Sequence, residues 1–392
     1  MRTISGLYVH IPFCYRKCFY CDFVSFKAKG YSVDSYLDAL EVEVHGYRKR
    51  KIRTLYVGGG TPTVLSGRQL IRLFKVLRSG FMIEADAEIT VEANPATFDL
   101  KKASVLLDLG VNRVSLGIQT FDRQALRWLG RAQSSKQAQE AYELLRRAGF
   151  KNISVDLMYG WSHQTQVQLH NDLERVLALR TEHISLYALS VPPGTVLSRR
   201  GVRPLDPDTA RGRDLFVWER LEQAGYQHYE ISNFAKKGAQ CLHNLHYWQG
   251  GNYIGLGVAA HSHHNGHRYA NVSDVGTYVC CAGDGQRCVA EEEFLSARER
   301  FWESLLIGLR CSEGVFFDAL VRRYKVRWPD QAAREVELFV QEGLLCRHAG
   351  KVIPTSRGWL VLDEICARLY RWAERTDGAS FQGGMGDHRA EQ

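Results

Sequence analysis

Three closely spaced cysteines are the residues of this sequence with the clearest capacity for chemistry. Cys14, Cys18 and Cys21 form a CxxxCxxC pattern within eight residues. A loop this tight can place three thiolates around one face of a cubic four-iron cluster, which leaves one iron without a protein ligand. An iron with an open position can bind a small molecule, as the open position of a catalytic zinc does.

The same three thiols could serve other chemistry. Tetrahedral zinc would need a fourth ligand nearby, and none lies at a zinc-ribbon spacing. Disulfides would need an oxidising compartment, which nothing in the sequence indicates. An iron–sulfur cluster is therefore the favoured interpretation, with zinc and redox-active thiols as the alternatives.

Motifs around and beyond the cysteines resemble those of a known family. They read YVHIPFC, CDF, GGGTP, EANP, SLGIQTF, LGR, DLMYG, HISLYALS, YEISNFA and HNLHYW. Together they resemble the anaerobic coproporphyrinogen oxidase-like family of the radical S-adenosylmethionine (SAM) superfamily, and within it the heme chaperone branch. The resemblance is dense from residue 8 to 248 and thinner to about residue 369. It implies a 4Fe-4S cluster on Cys14, Cys18 and Cys21, with SAM on the fourth iron.

Strand and helix patterns alternate from the N-terminus to about residue 190. The predicted strands are 7–11, 54–57, 88–93, 113–118, 153–158 and 183–189, and the helices are 33–48, 69–77, 101–109, 135–148 and 166–179. Six such units favour parallel strands with crossover helices. The resemblance implies an α/β fold, a partial (β/α)6 radical SAM barrel. Ligand sites in such folds gather at the carboxyl ends of the strands.

Small and polar residues end or follow several of these strands. Three glycines at 58–60 let backbone N–H groups approach a ligand, although such turns are also typical of tight packing. Glu92 could equally cap the next helix or form a salt bridge. The resemblance implies that SAM is contacted by Gly59, Gly60, Thr61, Glu92, Gln119, Arg131 and Asp156. It also places Tyr8 and Tyr20 beside the cluster, although a tyrosine at a strand start is more typical of a core.

The turn after the fifth predicted strand departs from the family pattern. The family usually has Gly-Leu-Pro-Gly-Gln-Thr there, and this chain has Gly160-Trp161-Ser162-His163-Gln164-Thr165. In the family pattern the proline fixes the φ angle and the glycine permits a positive φ, and this chain lacks both residues at those positions. We expect a reshaped turn that affects the substrate side more than SAM binding.

A second group of ligand-type residues lies in the segment HNLHYW. An imidazole can ligate ferric heme, and Tyr247 and Trp248 can stack on a porphyrin. From the residues alone, packing on the barrel is the favoured interpretation. The family's HNxxYW motif is associated with heme binding, so the resemblance predicts His243 as the axial ligand. His246 and the histidine tract 261–267 are further candidates, although the tract could also be a solvated turn with only weak adventitious metal binding.

The chain divides into four predicted parts. They are a radical SAM partial barrel at 1–190, a barrel extension with the HNLHYW segment at 191–290, a winged-helix-like α+β domain at 291–375 and a disordered tail at 376–392. Within the extension, residues 226–234 alternate like a single strand that would extend or flank the barrel's sheet, and residues 274–290 read as a polar connector. The small domain shows no Arg/Lys-rich recognition helix, which favours a structural or docking role over DNA binding.

Composition and charge limit the compartment and the partners that we expect for the protein. The chain has 392 residues, of which 45% are hydrophobic and 24% charged, and no apolar run reaches the length of a membrane span. The first apolar stretch is broken by His10 and does not read as a signal peptide, so we expect a cytoplasmic protein. The net charge of +8 suits an anionic partner without separating nucleic acid, anionic lipid and porphyrin. Peripheral membrane association therefore stays open.

Three functions fit the motifs. The chain could bind heme and pass it to acceptor proteins, decarboxylate coproporphyrinogen by radical SAM chemistry, or modify RNA by the same chemistry. The resembled oxidases have a fourth cysteine where this chain has Phe23, and an N-terminal extension that is not expected here because Cys14 lies thirteen residues from the start. No RRM, KH or OB module is recognisable. We therefore predict a heme chaperone with a SAM-binding cluster, without coproporphyrinogen oxidase catalysis and without a nucleic-acid partner.

Overall fold

A computed structural model describes residues 4–28, 30–47, 49–328 and 330–374. They divide into two compact units. The first runs to Glu293, except for the short segments Tyr229–Ile231 and Trp248–Gly250. Those segments belong to the second unit, together with the chain from Phe294 onward.

Within the described residues, twelve strands form the principal sheet. They are β1 Ile4–Ile11, β2 Arg50–Gly59, β3 Phe81–Ala93, β4 Arg113–Gln119, β5 Ile153–Tyr159, β6 His183–Ala188, β7 Gln227–Glu230, β8 Asn233–Ala235, β9 Asn252–Leu256, β10 His261–His264, β11 His267–Asn271 and β12 Val289–Phe294. Their order is β12-β11-β10-β9-β1-β2-β3-β4-β5-β6-β8-β7. Strands β1 to β6 are parallel neighbours in chain order, which confirms the predicted α/β fold. Strand β9 extends this parallel set beside β1.

Helices join the strands. Up to residue 293 they are α1 Val33–His45, α2 Gly67–Gly80, α3 Leu100–Asp108, α4 Arg123–Trp128, α5 Ser135–Ala148, α6 Gln166–Ala178, α7 Val196–Arg199, α8 Pro207–Gln223, α9 Leu242–Trp248 and α10 Val275–Gly283. Helices α2, α5 and α6 each begin at a Ser or Thr whose side chain and a Gln three residues later form a reciprocal capping box. These local signals fix where the helices start, and so how long each turn after a strand is.

Side chains alternate along the barrel strands between an apolar face and a polar face. Leu7, Val9 and Ile11 of β1 are fully buried on one face. On the other face Tyr8 is level with Tyr56 of β2. Further along the sheet the register pairs Glu92 with Ser115, and Gly117 with Asp156. The parallel register therefore assembles polar side chains from distant parts of the chain into rows across one face.

Three segments differ from the sequence prediction. The polar connector 274–290 contains helix α10, which Asp274 caps through the backbone N–H of Thr277 and which buries Tyr278. The single strand expected at 226–234 is two short strands, β7 and β8. The tract 261–267, whose alternative was a solvated turn, contributes to the hairpin of β10 and β11.

The second unit is α+β. Its helices are α11 Ala297–Gly308, α12 Phe317–Tyr324, α13 Asp330–Gln341, α14 Ser356–Trp359 and α15 Leu362–Glu374, and its antiparallel strands are Val315–Phe316, Leu345–His348 and Lys351–Pro354. Phe301, Trp302 and Phe339 are buried in its core. The predicted domain boundaries remain predictions, and the predicted tail 376–392 lies outside the described residues. Within the described part of the chain, every helix is too short or too polar to cross a membrane.

Candidate cluster and cofactor site

The three cysteines of the CxxxCxxC pattern lie just past the carboxyl end of β1. Cys14 ends a two-residue strand, Phe13–Cys14, and Cys18 and Cys21 follow in the next loop. All three thiols are half-buried. Burial raises the pKa of Cys14, and burial together with the neighbouring Cys18 raises the pKa of Cys21 to about 12. The thiols are thus close enough to influence one another electrostatically.

Two polar residues of the barrel reach these thiols. Thr61 Oγ1 lies 3.5 Å from Cys14 Sγ, and Arg131 Nη1 donates to Cys18 Sγ over 3.4 Å. No group of three or more His, Cys, Asp or Glu side chains among the described residues has the arrangement that a single metal ion requires. Three thiols in one loop with a guanidinium donor fit an anionic iron–sulfur cluster by the chemistry of the donor set.

The glycine turn after β2 closes against the cluster loop. Gly60 N donates to Ile11 O and Thr61 N to Phe13 O, both at 2.8 Å. A Cβ on Gly60 would lie 2.8 Å from both of those carbonyl oxygens. Gly59 has a φ of +103°, and a Cβ there would lie 2.6 Å from the His10 ring. The turn therefore requires glycine at both positions, because a side chain would clash with the His10 ring or with the backbone at the start of the cluster loop.

Two carboxylates of the barrel strands lie near each other, Glu92 next to the last residue of β3 and Asp156 in the middle of β5. Glu92 accepts from Tyr56 Oη at 2.9 Å and from Gly59 N at 3.1 Å. Asp156 accepts from Ser115 Oγ at 2.9 Å. Burial, and then the charge of Asp156, raise the pKa of Glu92 to about 8, and burial also raises the pKa of Asp156. Such a pair favours a cationic ligand, and SAM carries a sulfonium and an ammonium group.

Gln119 and Arg131 lie near an irregular end of β4. The pairing of β4 with β5 shifts register between Gly117 and Gln119, and Gln119 has a φ of +71°, in the left-handed region. Arg131 Nη2 donates to Gly117 O, while its Nε has no hydrogen-bond partner among the described residues. An orphaned guanidinium N–H in a half-buried position fits a carboxylate ligand such as that of SAM.

Tyr8, on β1, and Tyr20, within the cluster loop between Cys18 and Cys21, are both half-buried. Tyr8 Oη lies 3.1 Å from His10 Nδ1, and His10 Nε2 lies 2.8 Å from Val24 O. Because a carbonyl can only accept, Nε2 carries the proton and Nδ1 accepts from Tyr8. Burial lowers the pKa of His10 to about 4, so the ring is neutral. Burial, and then Cys18, raise the pKa of Tyr20.

His10 is a functional candidate that the sequence interpretation did not select. Its ring ties β1 to the far side of the cluster loop through Val24. Strand alternation gives a signal for it, because His10 lies two residues after Tyr8 and shares its face. The structure thus brings most of the predicted SAM residues together at the carboxyl ends of the barrel strands, with Asp156 deeper in β5, and their contacts with SAM stay predictions.

His243 lies elsewhere, in α9. Its side chain is 1% exposed. Nδ1 lies 2.9 Å from Thr54 Oγ1, and Nε2 lies 2.9 Å from Tyr247 Oη. Thr54 is five residues before Gly59 on β2, or about 16 Å along the strand. Burial lowers the pKa of His243 to about 3.

Iron ligation by His243 stays a prediction, and it meets a physical obstacle. Both ring nitrogens are hydrogen-bonded and the ring is enclosed, so a heme iron could reach it only after those bonds break. The other candidates are bonded as well. His246 Nε2 lies 2.8 Å from Asn252 O, and His263 and His267 have partners in or beside the β10–β11 hairpin.

The unusual turn at 160–165 is held by side chains rather than by proline and glycine. Gly160 N donates to Gln164 Oε1 at 2.7 Å, and Arg213 Nη2 donates to Gln164 O at 2.6 Å. Trp161 is 1% exposed and packs near Trp128, while His163 is exposed and contacts the same Trp128 ring. The turn therefore anchors a tryptophan inside and leaves a histidine outside.

Comparison with known proteins agrees with this geometry. The Radical SAM superfamily model matches residues 8–176, and the HemN C-terminal domain model matches residues 295–361. The heme chaperone HemW of Lactococcus lactis is 35% identical over 92% of this chain and 95% of its own length. HemW of Bacillus subtilis is 34% identical over 92% of this chain and 98% of its own length.

A solved structure is similar over nearly the whole chain. Coproporphyrinogen III oxidase (HemN) from Escherichia coli, described as a radical SAM enzyme, superposes with a TM-score of 0.84 at 25% identity. The match covers 95% of this chain and 91% of that protein. The parallel strands, the three thiols after β1 and the near full-length similarity to the HemW proteins support the same assignment. This chain belongs to the HemW family of the radical SAM superfamily.

Proposed function

We propose that the protein is a heme chaperone, which binds heme and transfers it to acceptor proteins. The observation that carries the proposal is the similarity to HemW of L. lactis over 95% of that protein. Phe23 supports it independently, because the resembled oxidases have a fourth cysteine at that position.

The barrel holds the cofactors of the superfamily, a 4Fe-4S cluster and SAM. In this proposal Cys14, Cys18 and Cys21 ligate the cluster. Glu92 and Asp156 face the cationic groups of SAM, and Arg131 faces its carboxylate. When bound, the two cofactors supply one-electron chemistry at the carboxyl end of the barrel. The chain's own part is to orient them and to shield them with the glycine turn and the aromatic side chains.

A second candidate function is oxygen-independent coproporphyrinogen oxidation. The observation that favours it is the TM-score of 0.84 to the E. coli oxidase over most of both chains. Fold similarity at this level does not separate the two activities, because function depends on the site.

One experiment separates the two functions. The chain is reconstituted anaerobically with iron and sulfide, and HemN is prepared in parallel as the positive control. We expect this protein to bind ferric heme, to pass it to apomyoglobin as a heme sink, and to form no protoporphyrinogen from coproporphyrinogen under reducing conditions with SAM. Catalytic formation of protoporphyrinogen, or failure to bind heme, would overturn the chaperone proposal.

We further propose a cytoplasmic protein whose positive charge allows peripheral contact with anionic membranes. The net charge of +8 supports such contact, and the lack of a recognisable RNA or DNA module supports the proposal that nucleic acid is no partner. Flotation with vesicles of anionic or zwitterionic lipid tests the first point. Equal recovery with both lipids would contradict it.

A further inference from the structure

His163 is an exposed imidazole at the carboxyl-end rim of the barrel. It lies in the turn between β5 and α6, and its ring stands at 83° to the ring of Trp128, with centroids 4.6 Å apart. Within the described part of the chain, no hydrogen bond occupies either ring nitrogen. Trp128 restricts the orientation of the imidazole and leaves its nitrogens open to a ligand.

Most other described histidines lack this combination of an exposed ring and ring nitrogens without a hydrogen bond. His10 and His243 have both nitrogens bonded, and His183 and His228 are buried. The further histidines that are exposed without a bonded ring are His45, His170 and His348, which lie at the end of α1, within α6 and in the second unit. His261 is exposed in the β10–β11 hairpin and serves as the main competitor in the test below.

The surroundings of His163 suit a porphyrin. Trp128 packs on the same buried cluster as Phe19 and Tyr20, the two residues directly after Cys18. The residue next to Trp128 is tied to the cluster loop, since Leu129 O accepts from Phe19 N at 2.9 Å. Partly buried aromatic side chains on one apolar cluster therefore connect Trp128, the ring that His163 contacts, with the cluster loop.

Two cations lie beside Phe19, one of these aromatic side chains. The guanidinium groups of Arg16 and Arg200 lie 5.3 and 4.4 Å from the centre of the Phe19 ring. Both side chains are exposed, and neither forms an ion pair with another described residue. Heme offers an iron that binds imidazole, a flat apolar face and two propionates, and this rim presents a partner for each.

We propose that this rim binds heme, with His163 as the axial ligand, Trp128 beside the porphyrin, and Arg16 and Arg200 toward the propionates. The inference rests on the proposed chaperone function and names the heme site of that function. It also accounts for the departure at 161–163. Trp161 anchors the turn inside, and His163 is thereby presented at the surface.

The ligand is tested by ferric heme titration of the cluster-loaded protein, with difference spectra in the Soret region and electron paramagnetic resonance. We expect His163→Ala to weaken binding by about tenfold or more and to shift the Soret band. His163→Met should retain heme with a different Soret position and different g-values, because a thioether replaces the imidazole. His170→Ala, an exposed histidine on the next helix, should match the wild type.

The propionate contacts are tested with heme and heme dimethyl ester. Replacing Arg16 and Arg200 together by Gln should weaken heme binding by about tenfold and leave binding of the uncharged ester unchanged. Equal loss for both ligands would contradict the contacts. Iron content and circular dichroism confirm that each variant is folded.

The outcomes separate this inference from the function on which it rests. A wild-type protein that binds no heme overturns the chaperone proposal. A wild-type protein that binds heme, together with a His163→Met variant of identical spectrum, overturns only the rim site. Loss of the ligand signature in His243→Ala or His261→Ala instead of the His163 variants would also overturn the rim site and would locate the iron elsewhere.

Discussion

The carboxyl group of Glu92 keeps its proton to a higher pH than an ordinary glutamate does. Its pKa is raised from 4.5 to about 8 by burial and by the charge of Asp156. Because the folded pKa lies above the unfolded one, the stabilisation from this proton is fully present below pH 4.5 and is lost as the pH rises through about 8. A cationic ligand prefers the ionised form, so its binding should release a proton near neutral pH.

We predict that SAM affinity depends on pH through Glu92. In the cluster-loaded wild type, affinity should rise by up to about tenfold per pH unit between about pH 6.5 and 8. In Glu92→Gln this dependence should disappear, and binding above pH 8 should be weaker than in the wild type. Calorimetry in two buffers of different ionisation enthalpy measures both the affinity and the proton release. Asp86→Asn, on an exposed position of the same strand, is the control. A wild-type affinity that does not change with pH would contradict the prediction.

We predict that Gly59 tolerates no side chain. Gly59→Ala should destabilise the protein by about 1–3 kcal/mol, because alanine is strained at positive φ and its Cβ would strike the His10 ring. SAM affinity should fall as the turn shifts. Gly67→Ala, at the start of α2 with only a Val105 methyl at 3.8 Å, should leave both quantities near the wild type. Urea unfolding and SAM titration check the pair, and equal behaviour of the two variants would refute the argument.

At the scale of elements, we predict that the loop after β1 is the cysteine-bearing segment that binds iron, and that the other cysteines are not needed for it. The wild type reconstituted without oxygen should contain about four irons per chain, and the triple change of Cys14, Cys18 and Cys21 to Ala should contain almost none. Changing Cys280, Cys281 and Cys346 to Ala is the matched control and should keep the iron. Iron and sulfide analysis with the visible spectrum provides the measurement. An unchanged cluster spectrum in the first variant would end the assignment.

The elements that sequence reasoning could identify are those defined by local periodicity. Each of the six predicted barrel strands overlaps an observed strand, because each combines a buried apolar face with a turn signal at its end. The parallel arrangement then places Glu92 near the carboxyl-end edge of the sheet. Asp156 lies deeper, in the middle of β5, because this strand continues to Tyr159. Helix α10 was missed because its polar neighbours hide a short amphipathic segment.

The environment of His243 could not be read from the sequence. Its partner Thr54 lies 189 residues earlier, and only the tertiary fold brings the two together. In the sequence, the segment HNLHYW resembles an open ligand-binding loop. In the structure it forms most of α9, and the side chain of His243 is buried. Conversely, His163 carries no sequence signal beyond its departure from the family pattern, and its exposure beside Trp128 became visible only in the structure.

At the scale of the whole molecule, the two compact units each have their own core. We predict that they unfold in separable steps. One step, seen by far-ultraviolet circular dichroism, should leave the cluster absorbance intact and report the second unit. Phe339→Ala, in that unit, should destabilise only this step, by about 3–5 kcal/mol. Leu145→Ala, in the first unit, should shift the step in which the cluster absorbance is lost, by about 2–5 kcal/mol. A single transition that moves equally in both variants would contradict two independent units.

The polar side chains on one face of the barrel strands should affect how long the protein persists in a cell. Half-buried carboxylates and thiols contribute little to folding until a cluster and SAM neutralise and cross-link them, and a ligand that binds only the folded chain stabilises it in proportion to its supply. Chains made when iron is scarce should therefore open more often and be cleaved sooner by proteases. The abundance of the protein would then follow the iron supply through protein turnover alone.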